Sequence, residues 1–153
     1  MIDVYQNTWA SLVVWIKDQL KQMRALSPQH PMEYIDWEAH ATNPELPNTD
    51  LVGPLALAVS EYEDGLYAVN VSFGVSTYVK DRSLYRQRLY TNFLFNQLQS
   101  GAQITYYDHA EAVERSVIQM RPGTTVAPMD DITNRPFQYI QCSGLLVPAG
   151  RDA

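Results

Sequence analysis

Two runs of alternating apolar and polar residues, joined by a short acidic turn, constrain the fold of this chain more than any other feature. The first run covers residues 55 to 59, and the second covers residues 67 to 79. Between them lies Asp64-Gly65, a strong hairpin signal, because glycine tolerates the positive backbone torsions that the turn requires. The pattern therefore predicts a long antiparallel hairpin over residues 55 to 79.

The second run of this hairpin predicts two different faces. Its apolar positions share one face, while the positions between them are small or polar: Ala68, Asn70, Ser72, Gly74 and Ser76. Such a strand is typical of a sheet that carries helices on a single side, with the other side facing water or a neighbouring subunit. We expect this small polar face to line a lumen or to contact the next subunit.

The remaining pattern predicts two helices and several further strands. Apolar residues recur every three or four positions over residues 3 to 25, and a second helix begins at the cap Ser83 and ends near Ser100, before Gly101. Strands are expected over residues 104 to 107 and 137 to 147, with turns at 122 to 123 and 128 to 135. Residues 109 to 121 fit a helix or a strand, and their end favours a strand.

This order predicts a single α+β domain over residues 1–153. It contains one antiparallel-rich sheet with two helices packed on one face. The length and the 46% hydrophobic content suit one core, and they exclude a disordered chain.

A long loop is expected after the first helix, over residues 27 to 54, because this segment is rich in proline and lacks a steady period. Loops of this length usually serve a function or become ordered on a partner. We expect the loop to contact a neighbouring protein through Tyr34, Trp37, Glu38 and Glu45, with the two aromatic residues as partial anchors.

Charge is distributed unevenly along the chain, whose formal net charge is −6. Residues 25 to 79 hold no lysine or arginine but eight carboxylates, and four cations then follow closely: Lys80, Arg82, Arg86 and Arg88. The molecule is therefore expected to have an acidic end and a basic end. Either the basic cluster makes an intermolecular contact, or it only solvates a helix. High-affinity binding to nucleic acid is not expected from a net acidic chain.

Several classes of protein are disfavoured by what the sequence lacks. It has no apolar run long enough for a membrane span and no secretory signal, so we expect an intracellular compartment and a mature start at Met1. Phosphate-binding, zinc-protease and nucleophile-elbow motifs are missing. Cys142, the single cysteine, lies in an apolar strand without a neighbouring cation, so its thiol is expected to be buried and inert.

No catalytic, metal or cofactor site is expected from the other polar residues. His30, His40 and His109 are scattered, and although Asp108 precedes His109, adjacent side chains of an extended segment point to opposite faces. Asp130-Asp131 supplies too few oxygens for a hard cation and fits a turn better.

In the order of its elements and in the residue pattern of several segments, the chain resembles the tail terminator proteins of tailed bacteriophages. The segments are the amino-terminal helix, the long hairpin, a helix rich in Leu, Tyr and Arg, a short strand ending Tyr106-Tyr107-Asp108, and the closing strand Arg135-Pro136-Phe137-Gln138-Tyr139-Ile140-Gln141-Cys142. The resemblance implies a virion protein of the tail and neck, assembled in the host cytoplasm. Such a protein forms a ring, expected to be a hexamer, that ends growth of the tail tube.

The resemblance also implies a set of partners. They are further copies of this chain, the tail tube protein and a neck or head-completion protein, with the sheath protein as a further candidate. DNA would pass through the lumen without specific binding, and no membrane is involved.

Opposite charges can set the register of such a ring, because each subunit needs two different complementary surfaces. We therefore expect subunit or tube contacts at Lys80, Arg82, Arg86 and Arg88, and at Glu61, Glu63 and Asp64. Two other interpretations stay open. One is another head-tail connector or tail-completion protein. The other is a small-molecule-binding or enzymatic α+β domain with Tyr107, Asp108 and His109 as candidates.

Overall fold

The computed structural model describes residues 3–38, 48–109, 113–132 and 134–147. These residues form an α+β structure of helices and one curled, mostly antiparallel sheet. Its elements are α1 (Val4–Leu26), β1 (Met32–Tyr34), β2 (Asp50–Glu63), β3 (Leu66–Ser76), α2 (Ser83–Gln99), β4 (Gln103–Asp108), β5 (Val113–Met120), β6 (Thr125–Val126), β7 (Asp130–Ile132) and β8 (Arg135–Leu146).

The strands follow the order β1-β2-β3-β8-β5-β4, and β6 and β7 pair with other parts of β8. Only β1 runs parallel to its neighbour; every other described pairing is antiparallel. The closing strand β8 pairs along its length with β3, from Tyr67 opposite Leu146 to Ser76 opposite Phe137. The longest strands of the sheet are therefore the ones whose alternation is clearest in the sequence.

The predicted hairpin is confirmed as β2 and β3. Gly65 has φ 81°, as the tight turn requires, and the register runs from Glu63 opposite Leu66 to Leu51 opposite Ser76. The strand β2 begins earlier than expected, at Asp50, since Pro54 lies next to a register shift rather than in a loop. A proline is tolerated at such a bulge because it has no backbone N–H to donate to the ladder.

The segment expected to be a long loop contains structure. Met32–Tyr34 forms β1, and Trp37 lies buried with its indole N–H donating to the Gly53 carbonyl at 3.1 Å. The Trp37 ring meets Phe137 edge to face at 5.3 Å, in a small second core. The middle of the predicted loop, residues 39–47, lies outside the described residues.

Both helices contribute side chains to the main core. Leu12, Ile16, Leu20 and Met23 of α1 and Tyr90, Leu94 and Leu98 of α2 belong to the same buried cluster as the odd-numbered residues 69 to 75 of β3. Burial of this apolar surface is the main stabilising contribution of the fold.

The predicted bounds of both helices agree with the structure within a residue or two, but the predicted turn over residues 128 to 135 contains β7 and the start of β8, and the predicted cap of α2 is wrong. Ser83 does not cap α2; the N-cap position is Arg82, with φ 61° and no side-chain cap hydrogen bond. By contrast, the Asp3 side chain accepts a 2.9 Å hydrogen bond from the Gln6 N–H at the start of α1. The ambiguous segment after His109 contains β5, which agrees with the strand favoured for its end.

Candidate interaction surfaces

Exposed cations and exposed apolar side chains lie together where β3 leads into α2. We call this region the basic corner; it consists of Val79, Lys80, Arg82, Leu84, Tyr85 and Arg88, all of them exposed. The Arg82 guanidinium lies 4.3 Å from the centroid of the Tyr85 ring, a cation–π contact that holds both side chains at the surface. Tyrosine and arginine are the residue types that most often carry the binding energy of protein interfaces.

Arg86 was expected at the same surface, and this expectation is wrong. Its side chain is 2% exposed and makes a two-point ion pair with Asp50, from Nε to Oδ2 at 3.0 Å and from Nη2 to Oδ1 at 3.1 Å. Asp50 is itself fully buried. Arg86 therefore cannot reach a neighbouring subunit, and it acts inside the monomer.

The buried pair is surrounded by further hydrogen bonds. The Tyr90 hydroxyl donates to the Asp50 carboxylate at 3.0 Å, and the Tyr78 N–H does so at 3.2 Å. Burial and, next, the Asp50 charge raise the pKa of Tyr90, so this phenol stays a donor. We call Asp50, Tyr78, Arg86 and Tyr90 the polar knot.

The polar knot also fixes the shape of the basic corner. Arg86 donates to the backbone carbonyls of Tyr78, Lys80 and Asp81. These bonds hold a segment in which Asp81 and Arg82 both adopt positive φ, a conformation that is unfavourable without glycine. The position of the exposed cations thus depends on a buried ion pair.

The polar knot is not among the features predicted from the sequence, although the sequence contains one signal for it. Arg86 precedes Tyr90, Leu94 and Leu98 at steps of four, so it belongs to the buried face of α2. No comparable signal identifies Asp50 as its partner 36 residues away.

An acidic surface lies at the turn between β2 and β3. We call it the acidic turn; it consists of Glu61, Tyr62, Glu63 and Asp64, which are all exposed. The Tyr62 side chain is 69% exposed. The acidic turn therefore combines negative charge with an aromatic group that has little contact with its own subunit.

The acidic turn and the basic corner lie at opposite ends of β3. The strand runs from Leu66, just after the turn, to Ser76, just before the corner. Ten residue steps at about 3.4 Å each place the two surfaces roughly 34 Å apart. They cannot meet within one subunit, so any attraction between them acts between different molecules.

Of the four residues predicted to contact a partner, three are among the described residues, and they differ in exposure. Trp37 is buried against its own sheet, so its assignment to a partner contact is wrong, and Tyr34 is half-buried with the Lys17 ammonium 4.7 Å from its ring centroid. Glu38 is exposed. Glu45 lies outside the described residues.

The small polar face of β3 is only partly open. Asn70 is exposed and Ala68 and Ser72 are half-buried, whereas Gly74 and Ser76 are buried. A Cβ atom on Gly74 would come within 3.0 Å of the Trp37 indole, which shows how closely this side chain covers the end of the face.

The residues considered for catalysis lie at separate places in the described structure; one of them, His30, has its Nε2 3.9 Å from the Asp81 carboxylate. Asp108 is buried and His109 is exposed, consistent with side chains on opposite sides of the chain, and the His109 ring lies 6.1 Å from that of Tyr107. His30 Nδ1 lies 2.8 Å from the Ser27 hydroxyl, and His40 falls outside the described residues. Asp130 and Asp131, expected in a turn, lie instead in the short strand β7, where the Asp131 N–H donates to the Asp130 carboxylate at 2.8 Å.

Within the described residues, no group of three or more His, Cys, Asp and Glu side chains is arranged to hold a metal ion. Neither described helix combines the length and the apolar content needed to cross a bilayer.

Cys142 is buried as predicted, and burial raises the pKa of its thiol to about 12. Above about pH 9 the unfolded chain loses this proton while the folded chain keeps it, so stability falls as the pH rises. We expect the wild-type protein to lose about 1 kcal/mol more than Cys142→Ala between about pH 8.5 and pH 10. Urea unfolding at both pH values measures this difference; equal losses would contradict it.

No protein-family model matches the chain, and no curated protein matches it significantly.

Proposed function

We propose that this chain is a structural virion protein of the tail terminator type. Copies of it close into a ring, expected to be hexameric, on the last layer of the tail tube. The ring ends tube polymerisation and presents a new surface to the neck or head-completion protein, with the sheath protein as a further candidate partner.

The observation that carries this proposal is the placement of the basic corner and the acidic turn at opposite ends of β3. A ring is built from head-to-tail contacts that join two different surfaces of each subunit. The two surfaces have opposite charge, and each includes an exposed aromatic side chain, Tyr85 in the corner and Tyr62 in the turn. Opposite charges steer the association and exclude the wrong register, while the aromatic groups supply apolar area.

The arrangement of the layers is part of the same proposal. Both helices pack on one face of the sheet, and the open part of the other face, around Asn70 and Ser72, lines the lumen or contacts the next subunit. Small uncharged side chains there, together with a net charge of −6, suit a channel through which DNA passes without being held.

Imaging of the purified protein by negative-stain electron microscopy tests this function. We expect closed rings with a central hole of at least about 20 Å, the width that duplex DNA requires. Addition of the rings to purified tail tubes of the same phage should block further elongation. A protein that stays monomeric at high concentration, or rings that leave elongation unchanged, would contradict the proposal.

Another head-tail connector or tail-completion protein would use the same two surfaces, and the tube experiment separates it from a terminator. Such a connector would still form rings, but it would bind the head side and leave tube elongation unaffected.

A further inference from the structure

Most of β2 at one edge of the sheet has no partner strand on its outer side among the described residues. The short β1 pairs with β2 only as far as Val52, whose carbonyl also accepts the Ile35 N–H at 3.0 Å. Beyond this point no described strand lies beside β2 on the side away from β3. In an antiparallel pair, every second residue points its N–H and C=O groups away from the neighbouring strand. No described strand pairs with the outward N–H and C=O groups of residues 55 to 60, which we call the open edge.

The other edge of the sheet is covered. The Tyr107 N–H at the end of β4 donates to the Ser11 hydroxyl at 3.0 Å, and the His109 N–H just beyond β4 donates to the Asn7 side chain at 3.1 Å. Both acceptors are buried side chains of α1. Proteins usually protect exposed edges in such ways, or with charges and prolines. The open edge has the sequence Leu-Ala-Leu-Ala-Val-Ser, which carries no charge and no proline.

A groove of about 440 Å³ runs beside the start of the open edge. One wall is formed by α1 through Tyr5, Gln6 and Trp9, and the other by β2 through Leu55, Ala56 and Leu57. Tyr5 is 52% exposed and Leu55 is 37% exposed, so apolar surface is accessible on both walls. Glu38 lines the groove as well and is exposed.

A groove between a helix and an unpaired strand edge suits one kind of ligand. An extended peptide can add a strand to the edge, where its backbone gains hydrogen bonds and its alternate side chains enter the groove. The aromatic walls select apolar side chains at those positions, and the Glu38 carboxylate selects a cation beside them.

We propose that the open edge binds an extended segment of another polypeptide. The segment has apolar side chains at alternate positions and a lysine or arginine opposite Glu38. It adds an antiparallel or parallel strand to β2 and places its apolar side chains between β2 and α1. This site does not depend on ring formation, because it uses neither the basic corner nor the acidic turn.

Fluorescence anisotropy with a labelled synthetic peptide, Lys-Val-Thr-Val-Thr-Val-Lys, tests the proposal. We expect saturable binding below about 1 mM. Two forms of the peptide, N-methylated on alternate residues, provide the sharpest comparison, because each lacks the N–H groups of one edge. One form should lose binding and the other should keep it.

Variants of the protein locate the binding site. Leu55→Lys should weaken binding at least tenfold, because it places a charge on the groove wall, whereas the matched control Val147→Lys, at an exposed apolar residue outside the groove, should leave binding unchanged. Glu38→Lys should weaken binding of this peptide and favour the version with glutamate ends.

Several results would overturn the proposal. They are the absence of saturable binding, equal effects of the two methylated forms, or binding that is insensitive to Leu55→Lys. Slow hydrogen exchange at every amide of residues 55 to 60 in the free protein would show that the edge is already paired. Loss of self-association in Leu55→Lys would place a second copy on the edge instead.

Discussion

Asp50→Ala is expected to lower the free energy of unfolding by about 3–5 kcal/mol, the cost of leaving a buried charge without its partner. The Arg86 guanidinium would remain buried without its carboxylate partner, beside backbone carbonyls and the Tyr78 ring, and the Tyr90 hydroxyl would lose its acceptor. For a domain of this size the melting temperature should fall by roughly 6–20 °C. Urea unfolding and thermal melts measure the effect.

Two controls separate the buried pair from a general effect of charge. Asp18→Ala removes the same charge from an exposed position of α1 and should change stability by no more than about 0.5 kcal/mol. The double variant Asp50→Leu/Arg86→Met should recover part of the loss, because neither member of the ion pair is left buried without its partner. Equal stability of Asp50→Ala and Asp18→Ala would contradict the role of the polar knot.

Arg82→Glu/Arg88→Glu is expected to abolish ring formation while the monomer stays folded. Both side chains are exposed in the basic corner, so their reversal costs little within the subunit. Across the proposed contact it would set like charges against the acidic turn, which costs several kcal/mol and weakens association by about 100-fold or more. Analytical ultracentrifugation measures association, and circular dichroism measures folding.

A matched variant separates the position of the reversed charges from the effect of net charge alone. Lys21→Glu/Arg121→Glu makes the same change at exposed residues outside both surfaces and should assemble normally. Adding Glu63→Arg to the Arg82→Glu/Arg88→Glu variant should restore part of the assembly, because the contact again joins opposite charges. Rings formed by the unrescued variant at moderate salt would remove the basic corner from the contact.

The basic corner and the polar knot differ in how much of each can be predicted from the sequence. The exposed cations of the basic corner follow from the distribution of charge along the chain, because long charged side chains remain exposed unless the fold supplies a partner. The polar knot does not, because Asp50 and Arg86 lie 36 positions apart and meet only once the strand and the helix pack. Arg82 and Arg86 belong to the same cluster of cations in the sequence, yet Arg82 is exposed and Arg86 is buried.

The loop after α1 shows the same division. Its prolines and lack of period are real features of the sequence, and they hid a three-residue strand and the buried Trp37. A short strand has no detectable period of its own, and the burial of Trp37 depends on Phe137, one hundred residues away. A contact between residues so far apart in the chain leaves no local pattern in the sequence.

Local patterns predict the hairpin, both helices and the closing strand, since each is encoded by a local repeat of apolar residues that sets which side is buried. The contacts between the ends of these elements arise in the folded molecule. There Arg86 is buried against Asp50, Trp37 covers part of the small polar face, α1 side chains bond to the end of β4, and no described strand lies beside residues 55 to 60 of β2. Those outcomes depend on contacts between residues distant in the chain, whose energies no local pattern records.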